Sequence, residues 1–262
     1  MTHARRSASL LLVAGACACA AFGGEFVDTF EAGSSQGGWT YGPAPTYPMS
    51  GGNPGRYLQA LNLDTYAPQP RTNATTSIFT GNYRAKRVAS VGVDLKTFDV
   101  DFSAAERPCT LILFNNNGTP ANANDDWGVY VMGPNIPVPG DGWKSYDFAI
   151  PYAATSLPEG WKTIQFGPTS PTPNWNTAIT DVDRVIFFYG DPELFFIFQQ
   201  WDVGLDNARI TTVPEDLDGD GTVGAADLGQ LLGAWGGRGP ADLDANGSVG
   251  PEDLALLLGA WG

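Results

Sequence analysis

The chain has 262 residues, with Lys+Arg 14 against Asp+Glu 28, a formal net charge of −14 and a pI near 4.2. That balance excludes nucleic acid and anionic membrane surfaces as partners, because their phosphates would be repelled, and it suits a soluble exported protein that binds cations. The chain opens with His3, Arg5 and Arg6, followed by an apolar or small run from Leu10 to Ala21 and the small trio Ala18-Cys19-Ala20. This is the three-part pattern of an export signal, so residues 1–23 are expected to be a signal peptide and the protein to be secreted, extracellular or at the cell surface. The 12-residue apolar run is too short to span a bilayer, and no membrane span is expected. Loss of this segment removes Cys17, Cys19 and His3, leaving Cys109 as the sole cysteine and no histidine. Ser-His and Cys-His mechanisms and His zinc sites are then excluded, and carboxylates become the main candidates for chemistry and for metal. Cys109 itself lies in the apolar run "PCTLILFNN" and is expected to be a buried, inert thiol.

Residues 24–212 carry short β-rich runs separated by turn clusters. In chain order the runs are "EFVDTFE", "GRYLQALNL", "TSIFTGNY", "RVASVGVDLKTF", "CTLILFN", "WGVYVMG", "GWKSYDFAI", "RVIFFYG" and "VGLDNARITT". Loop signals such as "NNNGTPANANDD" (115–126), "GPNIPVPGDG" (133–142) and "GPTSPTPNWN" (167–176) stand between them. The mixture of alternating and continuous apolar residues predicts an antiparallel β-sandwich, a jelly roll, large enough to need no disulfide. "FVDTFEAGSSQGGWTYG" near its start and "WDVGLDNARIT" near its end resemble the first and last strands of galactose-binding-like jelly rolls, a group that includes many carbohydrate-binding modules. "DGWKSYDFAIP" resembles an interior strand of the same group. The resemblance implies a structural calcium shared by Glu31 and Asp206, with Asp28 as a helper, and aromatic rings that stack on sugar faces. Trp127, Trp143, Trp161, Trp175 and Trp201 are the candidate rings, along with Tyr130, Tyr146 and Tyr189; Trp127 and Trp175 are expected to be exposed, since both lie beside Asn- or Pro-rich loops.

"TTVPE" (211–215) leads into a tail, residues 213–262, that states one 21-residue pattern twice. "DLDGDGTVGAADLGQLLGAWG" (216–236) and "DLDANGSVGPEDLALLLGAWG" (242–262) share 14 of 21 positions. Asp216, Asp218, Asp220, Gly221 and Asp227 fall at positions 1, 3, 5, 6 and 12 of the first copy; Asp242, Asp244, Asn246, Gly247 and Asp253 fill the same places in the second. Such spacing lets oxygen ligands converge on a hard cation as the loop curls, with glycine making the sharp turn and a backbone carbonyl at position 7, Thr222 or Ser248. Calcium is the expected ion. Val223 and Val249 at position 8 are expected to pair the loops through a short β-bridge. Each loop runs into a helix whose stripe (Leu228, Leu231, Leu232, Trp235; Leu254, Leu257, Leu258, Trp261) is expected to bury against the other.

A loop-helix unit with no helix before it ("TTVPE" and "GGRGPA" leave no room) and with Asp at position 12, duplicated in this way, resembles the type I dockerin over residues 216–262. The resemblance implies two EF-hand-like calcium loops in a small α domain, with a cohesin-like protein as partner. Ala225-Ala226 and Pro251-Glu252 stand where cellulosomal dockerins often carry Ser-Thr-type partner contacts. The combined expectation is a secreted calcium-binding modular protein whose sandwich binds polysaccharide and whose tail mediates attachment or assembly in polysaccharide degradation. One alternative is a glycoside hydrolase or lyase built on the sandwich, although Asp125-Asp126, Glu159, Asp181, Asp183 and Glu193 form no local motif that singles out a catalytic pair. The other is a non-catalytic adhesion protein.

Overall fold

A computed structural model describes residues 24–42, 45–72, 77–194 and 197–262; the expected signal peptide lies outside them. Among the described residues, eleven strands and four helices follow in chain order. The strands are β1 (Gly24–Asp28), β2 (Trp39–Thr40), β3 (Leu58–Thr65), β4 (Arg71–Thr72), β5 (Val88–Val100), β6 (Pro108–Asn115), β7 (Trp127–Asn135), β8 (Lys144–Ala149), β9 (Trp161–Gln165), β10 (Arg184–Tyr189) and β11 (Gln199–Thr212). The helices are α1 (Tyr83–Lys86), α2 (Trp175–Thr180), α3 (Ala225–Gly233) and α4 (Pro251–Gly259).

The strands form two antiparallel sheets. One runs β1-β11-β5-β8, with β3 also on β11; the other runs β2-β4-β10-β6-β7-β9. The main strands alternate between the sheets so that β3-β11-β5-β8 faces β4-β10-β6-β7, which is the strand order of a jelly roll. Period-2 patterning explains the core. Val91, Val93 and Leu95 of β5 and Trp201, Val203 and Leu205 of β11 are fully buried, as are Leu111 of β6 and Phe187 of β10. Rings join the sheets: Phe148 meets Phe187 at 6.1 Å between centroids, and Tyr189 meets Trp201 edge-on at 6.0 Å. Cys109 is buried and unpaired in this core, and burial pushes its thiol pKa up, so it is inert as expected.

Strand β9 and the short β4 lie outside the β-rich runs read from sequence, and two further segments depart from that reading by becoming helical. Over 77–83 the "TSIFTGNY" run is a turn leading into α1. The Ser77 hydroxyl donates to the Gly37 carbonyl (2.6 Å), Thr80 Oγ1 donates to the Ser77 carbonyl (2.9 Å), and Asn82 caps the helix by accepting from Ala85 N (2.8 Å). These local side-chain bonds offer the backbone an alternative to a sheet ladder. The second is "GPTSPTPNWN", whose end forms α2, with Asn174 as N-cap accepting from Thr177 N.

The tail has its own small core of Leu217, Val223, Leu231, Ala241, Leu243, Val249 and Leu257. The expected valine–valine bridge is replaced by a reciprocal clasp: Gly236 N donates to the Val249 carbonyl (2.9 Å), and Gly262 N donates to the Val223 carbonyl (3.3 Å). The last glycine of each "GAWG" thus reaches the other unit's loop. Only part of each stripe is buried. Leu231 and Leu257 are fully covered, but Leu232 and Leu258 within the helices and Trp235 and Trp261 just past their ends stay exposed, the tryptophans at 47% and 46%.

Phe187 touches Trp39 (5.4 Å) and Phe148 (6.1 Å) and is fully buried, so Phe187→Ala should cost about 3–5 kcal/mol, read as a lowered urea midpoint.

Candidate functional site

The tail brings together two matched carboxylate triads. Oxygens of Asp216, Asp218 and Asp227 lie within 4.8 Å of one another, and so do those of Asp242, Asp244 and Asp253. Backbone N–H groups hold these acids in place. Asp227 accepts from Asp218 N (3.0 Å) and Gly224 N (2.7 Å), and Asp253 accepts from Leu243, Asp244 and Gly250 N (2.6, 3.0 and 2.7 Å). The opening of each loop is thereby tied to the position 12 acid at the helix start, where the dipole favours negative charge. Burial pushes the Asp253 carboxyl up, and the N–H donors more than offset this, holding it below the usual range. Burial and the neighbouring Asp227 and Asp220 raise Asp218.

Position 5 behaves differently. Asp220 Oδ1 accepts from Thr222 N and Thr222 Oγ1 (both 2.8 Å), and Asn246 Oδ1 accepts from Ser248 N (3.0 Å), and Asp220 lies outside its loop's close-set triad. The donor set is all oxygen, which suits a hard cation. Asp216, Asp227 and Asp253 are each almost wholly buried, and close-packed buried carboxylates are unfavourable without a compensating charge. Asp242 Oδ1 is buried with no hydrogen-bond partner among the described residues. These features fit calcium.

On the sandwich, Glu31 and Asp206 are gathered by one loop. Asp206 Oδ2 accepts from Asn53 N (2.5 Å) and Oδ1 from Asn207 N (2.8 Å), while Glu31 Oε1 accepts from Arg56 N (2.9 Å). Asp94 joins them, accepting from Asn53 Nδ2 (3.0 Å), Asn207 Nδ2 (2.8 Å), Ser145 Oγ (2.6 Å) and Arg209 Nη1 (3.0 Å). Sequence reading missed Asp94, which is brought in by β5–β11 pairing opposite Asp206. Asp28 caps its own turn, accepting from Ser35 Oγ (2.6 Å) and Gly37 N (2.8 Å).

Trp127 and Trp175 are both 2% exposed, which corrects the expectation of stacking faces. Trp127 starts β7 on the core side, opposite Asn115 and Gln165. Trp175 is turned inward by the capped α2, donates Nε1–H to the Ala154 carbonyl (3.0 Å) and meets Trp161 at 4.9 Å. Trp143 is the half-exposed tryptophan of the sandwich. It forms a shelf with Tyr57 and Phe98, at 5.4 and 6.2 Å between ring centroids, with Lys96 Nζ 4.7 Å from the Phe98 ring. The shelf lies over Gly204: a Cβ there would meet Trp143, Phe98 and Tyr57 atoms at 2.8, 3.0 and 3.1 Å.

Burial, with Asp94 and Glu31 adding repulsion, raises the Asp206 pKa to about 6 against two backbone donors that lower it. A carboxyl whose folded pKa lies above its unfolded value binds more protons when folded, so its contribution is favourable below about pH 4 and is lost as pH rises to about 6. A carboxyl 13C titration of calcium-free protein should give Asp206 a midpoint near 6; a midpoint under 4 would contradict the crowding of these acids.

Neither a protein-family model nor a curated protein matches the chain. Among solved structures, the chain is similar to the module CtCBM11, at 14% identity and a TM-score of 0.40, over 74% of this chain and 98% of that one. It is similar to the C-terminal family 22 carbohydrate-binding module of Clostridium thermocellum Xyn10B, at 15% identity and a TM-score of 0.34, over 72% of this chain and 94% of that one. An exo-β-agarase is similar at 11% identity and a TM-score of 0.39, over 73% of this chain; the chain spans only 25% of that agarase. At such identities and TM-scores the likeness transfers neither fold detail nor ligand.

Proposed function

We propose that residues 213–262 are a calcium-binding attachment module of dockerin type and that the sandwich of an exported protein binds carbohydrate. The two matched carboxylate triads carry the first half of this reading. Within it, Asp216, Asp218 and Asp227 hold one ion and Asp242, Asp244 and Asp253 the other, with Asp220, Thr222, Asn246 and Ser248 completing the shells. The exposed Leu232, Trp235, Leu258 and Trp261 offer a cohesin-like partner an apolar surface. Glu31 and Asp206 are the third, structural calcium position of this reading, with Asp94 beside them held by Arg209, Ser145, Asn53 and Asn207.

The second half rests on the Trp143 shelf. The partly exposed Trp143 and Phe98 rings, backed by the buried Tyr57 and lying beside Lys96 and Gln59, whose Nε2 donates to Tyr57 Oη (2.9 Å), combine an apolar platform with polar groups able to orient sugar hydroxyls.

Calorimetry of metal-stripped protein should show calcium binding in both loops. Asp216→Ala should weaken one loop roughly 100-fold or more and Asp242→Ala the other, with the loop 1 site the tighter, since its four acids exceed loop 2's three. A tighter second loop would refute that ranking. Trp143→Ala should lower retention on a bound polysaccharide about tenfold in affinity gels, as expected for loss of a stacked ring; unchanged retention would remove the shelf as the binding surface.

A further inference from the structure

The two calcium loops, alike in sequence, differ in what surrounds their first ligand. Asp216 is completely buried and takes four donors: Gly219 N (2.9 Å) and Asp220 N (3.1 Å) on Oδ1, and Gly221 N (2.9 Å) and the Tyr152 hydroxyl (2.5 Å) on Oδ2. Asp242 takes one, Gly247 N on Oδ2 (2.9 Å), and its Oδ1 has no partner among the described residues. The extra donor of loop 1 belongs to the sandwich: Tyr152 follows β8, is 5% exposed and packs in the sandwich core.

Other contacts fix the same junction. Val213 N donates to the Arg87 carbonyl (3.0 Å). Arg87 closes α1 in a left-handed conformation (φ 52°) and sends its guanidinium to the tail, Nη1 to the Pro214 carbonyl (2.9 Å) and Nη2 to the Leu217 carbonyl (3.1 Å). Gly221, the sharp turn of loop 1, faces Ala153: a Cβ built on it would lie 3.6 Å from the alanine methyl. Its counterpart Gly247 has only the Arg238 guanidinium, at 4.0 Å. Loop 1 is therefore seated on residues 152–153 and 87, and the backbone leading to it is held on both sides of Asp216.

We infer that the sandwich is a built-in partner of calcium loop 1, with Tyr152 acting as a positioning residue that holds the Asp216 carboxylate in its ligating orientation. This rests on the calcium reading of the tail. A neighbouring group that fixes a ligand's orientation strengthens a metal site without touching the ion. Seating and calcium occupancy of loop 1 then favour each other by the same factor, because coupling between two equilibria is reciprocal. Among the described residues, no sandwich side chain bonds to Asp242 of loop 2.

The test is calcium calorimetry on the full chain with Tyr152→Phe, which keeps the buried ring and removes only the hydroxyl. One of the two loop sites should weaken about tenfold, the loss of one hydrogen bond to a charged acceptor, while the other stays unchanged. Two backgrounds assign the loss: with Asp242→Ala, Tyr152→Phe should weaken the remaining loop site, and with Asp216→Ala it should change nothing. The calcium-induced rise in melting temperature of the sandwich should also shrink in Tyr152→Phe. Affinities unchanged in both backgrounds, or lowered equally at both loops, would overturn the inference while leaving calcium binding intact. Absence of calcium uptake by the unmutated tail would sink the calcium reading itself, and the inference with it.

Discussion

Strand β11 is the constraint on which the rest of the molecule depends. Its 14 residues pair with β1 and β3 along one edge and β5 along the other, so one late segment closes the sheet that the earliest strand begins. Loop-closure entropy for such distant pairings is recovered only through burial, and Trp201, Val203, Leu205, Ala208 and Ile210 of β11 are all in the core. The outward side of the same strand does separate work. Gly204 leaves room for the Trp143 shelf, and Asp206 meets Asp94 beneath the 51–56 loop. Both candidate surfaces of the sandwich thus depend on the alternation of one strand.

The tail solves a different problem. A nine-residue helix is too short to be stable alone, and its stripe needs a second surface. Duplication supplies one, and the crossed bonds from Gly236 and Gly262 lock the units together. Acid crowding then accompanies compactness, since the carboxylates that order each loop through backbone N–H groups also approach one another. A bound cation would relieve that crowding, which is why local order and metal affinity are hard to separate in loops of this kind.

The sandwich and the paired loops were legible because both rest on periodicities: two along β5 and β11, and the repeated spacing of Asp216 to Asp227 and Asp242 to Asp253. What escaped depended on side chains that redirect the backbone locally. Asn82 and Asn174 start helices within stretches read as a strand and a loop, and the second turns Trp175 inward. Loop neighbours said nothing about the face a ring presents, as Trp127 shows. Asp94 carries no signal in its own segment; only the β5–β11 register sets it opposite Asp206. Tyr152 likewise stands in an unremarkable "PYAAT", and its contact with Asp216 spans 64 residues.

The continuity of β11 into the tail also has a mechanical side. If the tail is anchored and the sandwich grips a polymer, tension enters the sandwich at Thr212 and runs along the strand. Ladder bonds to β1 and β5 lie across that direction, so they are loaded together in shear and not opened one after another. Arg87 and Tyr152 take part of the load before it reaches the ladder, as a short strut beside the joint. A tether joined in this way resists pulling along its axis far better than peeling from its side.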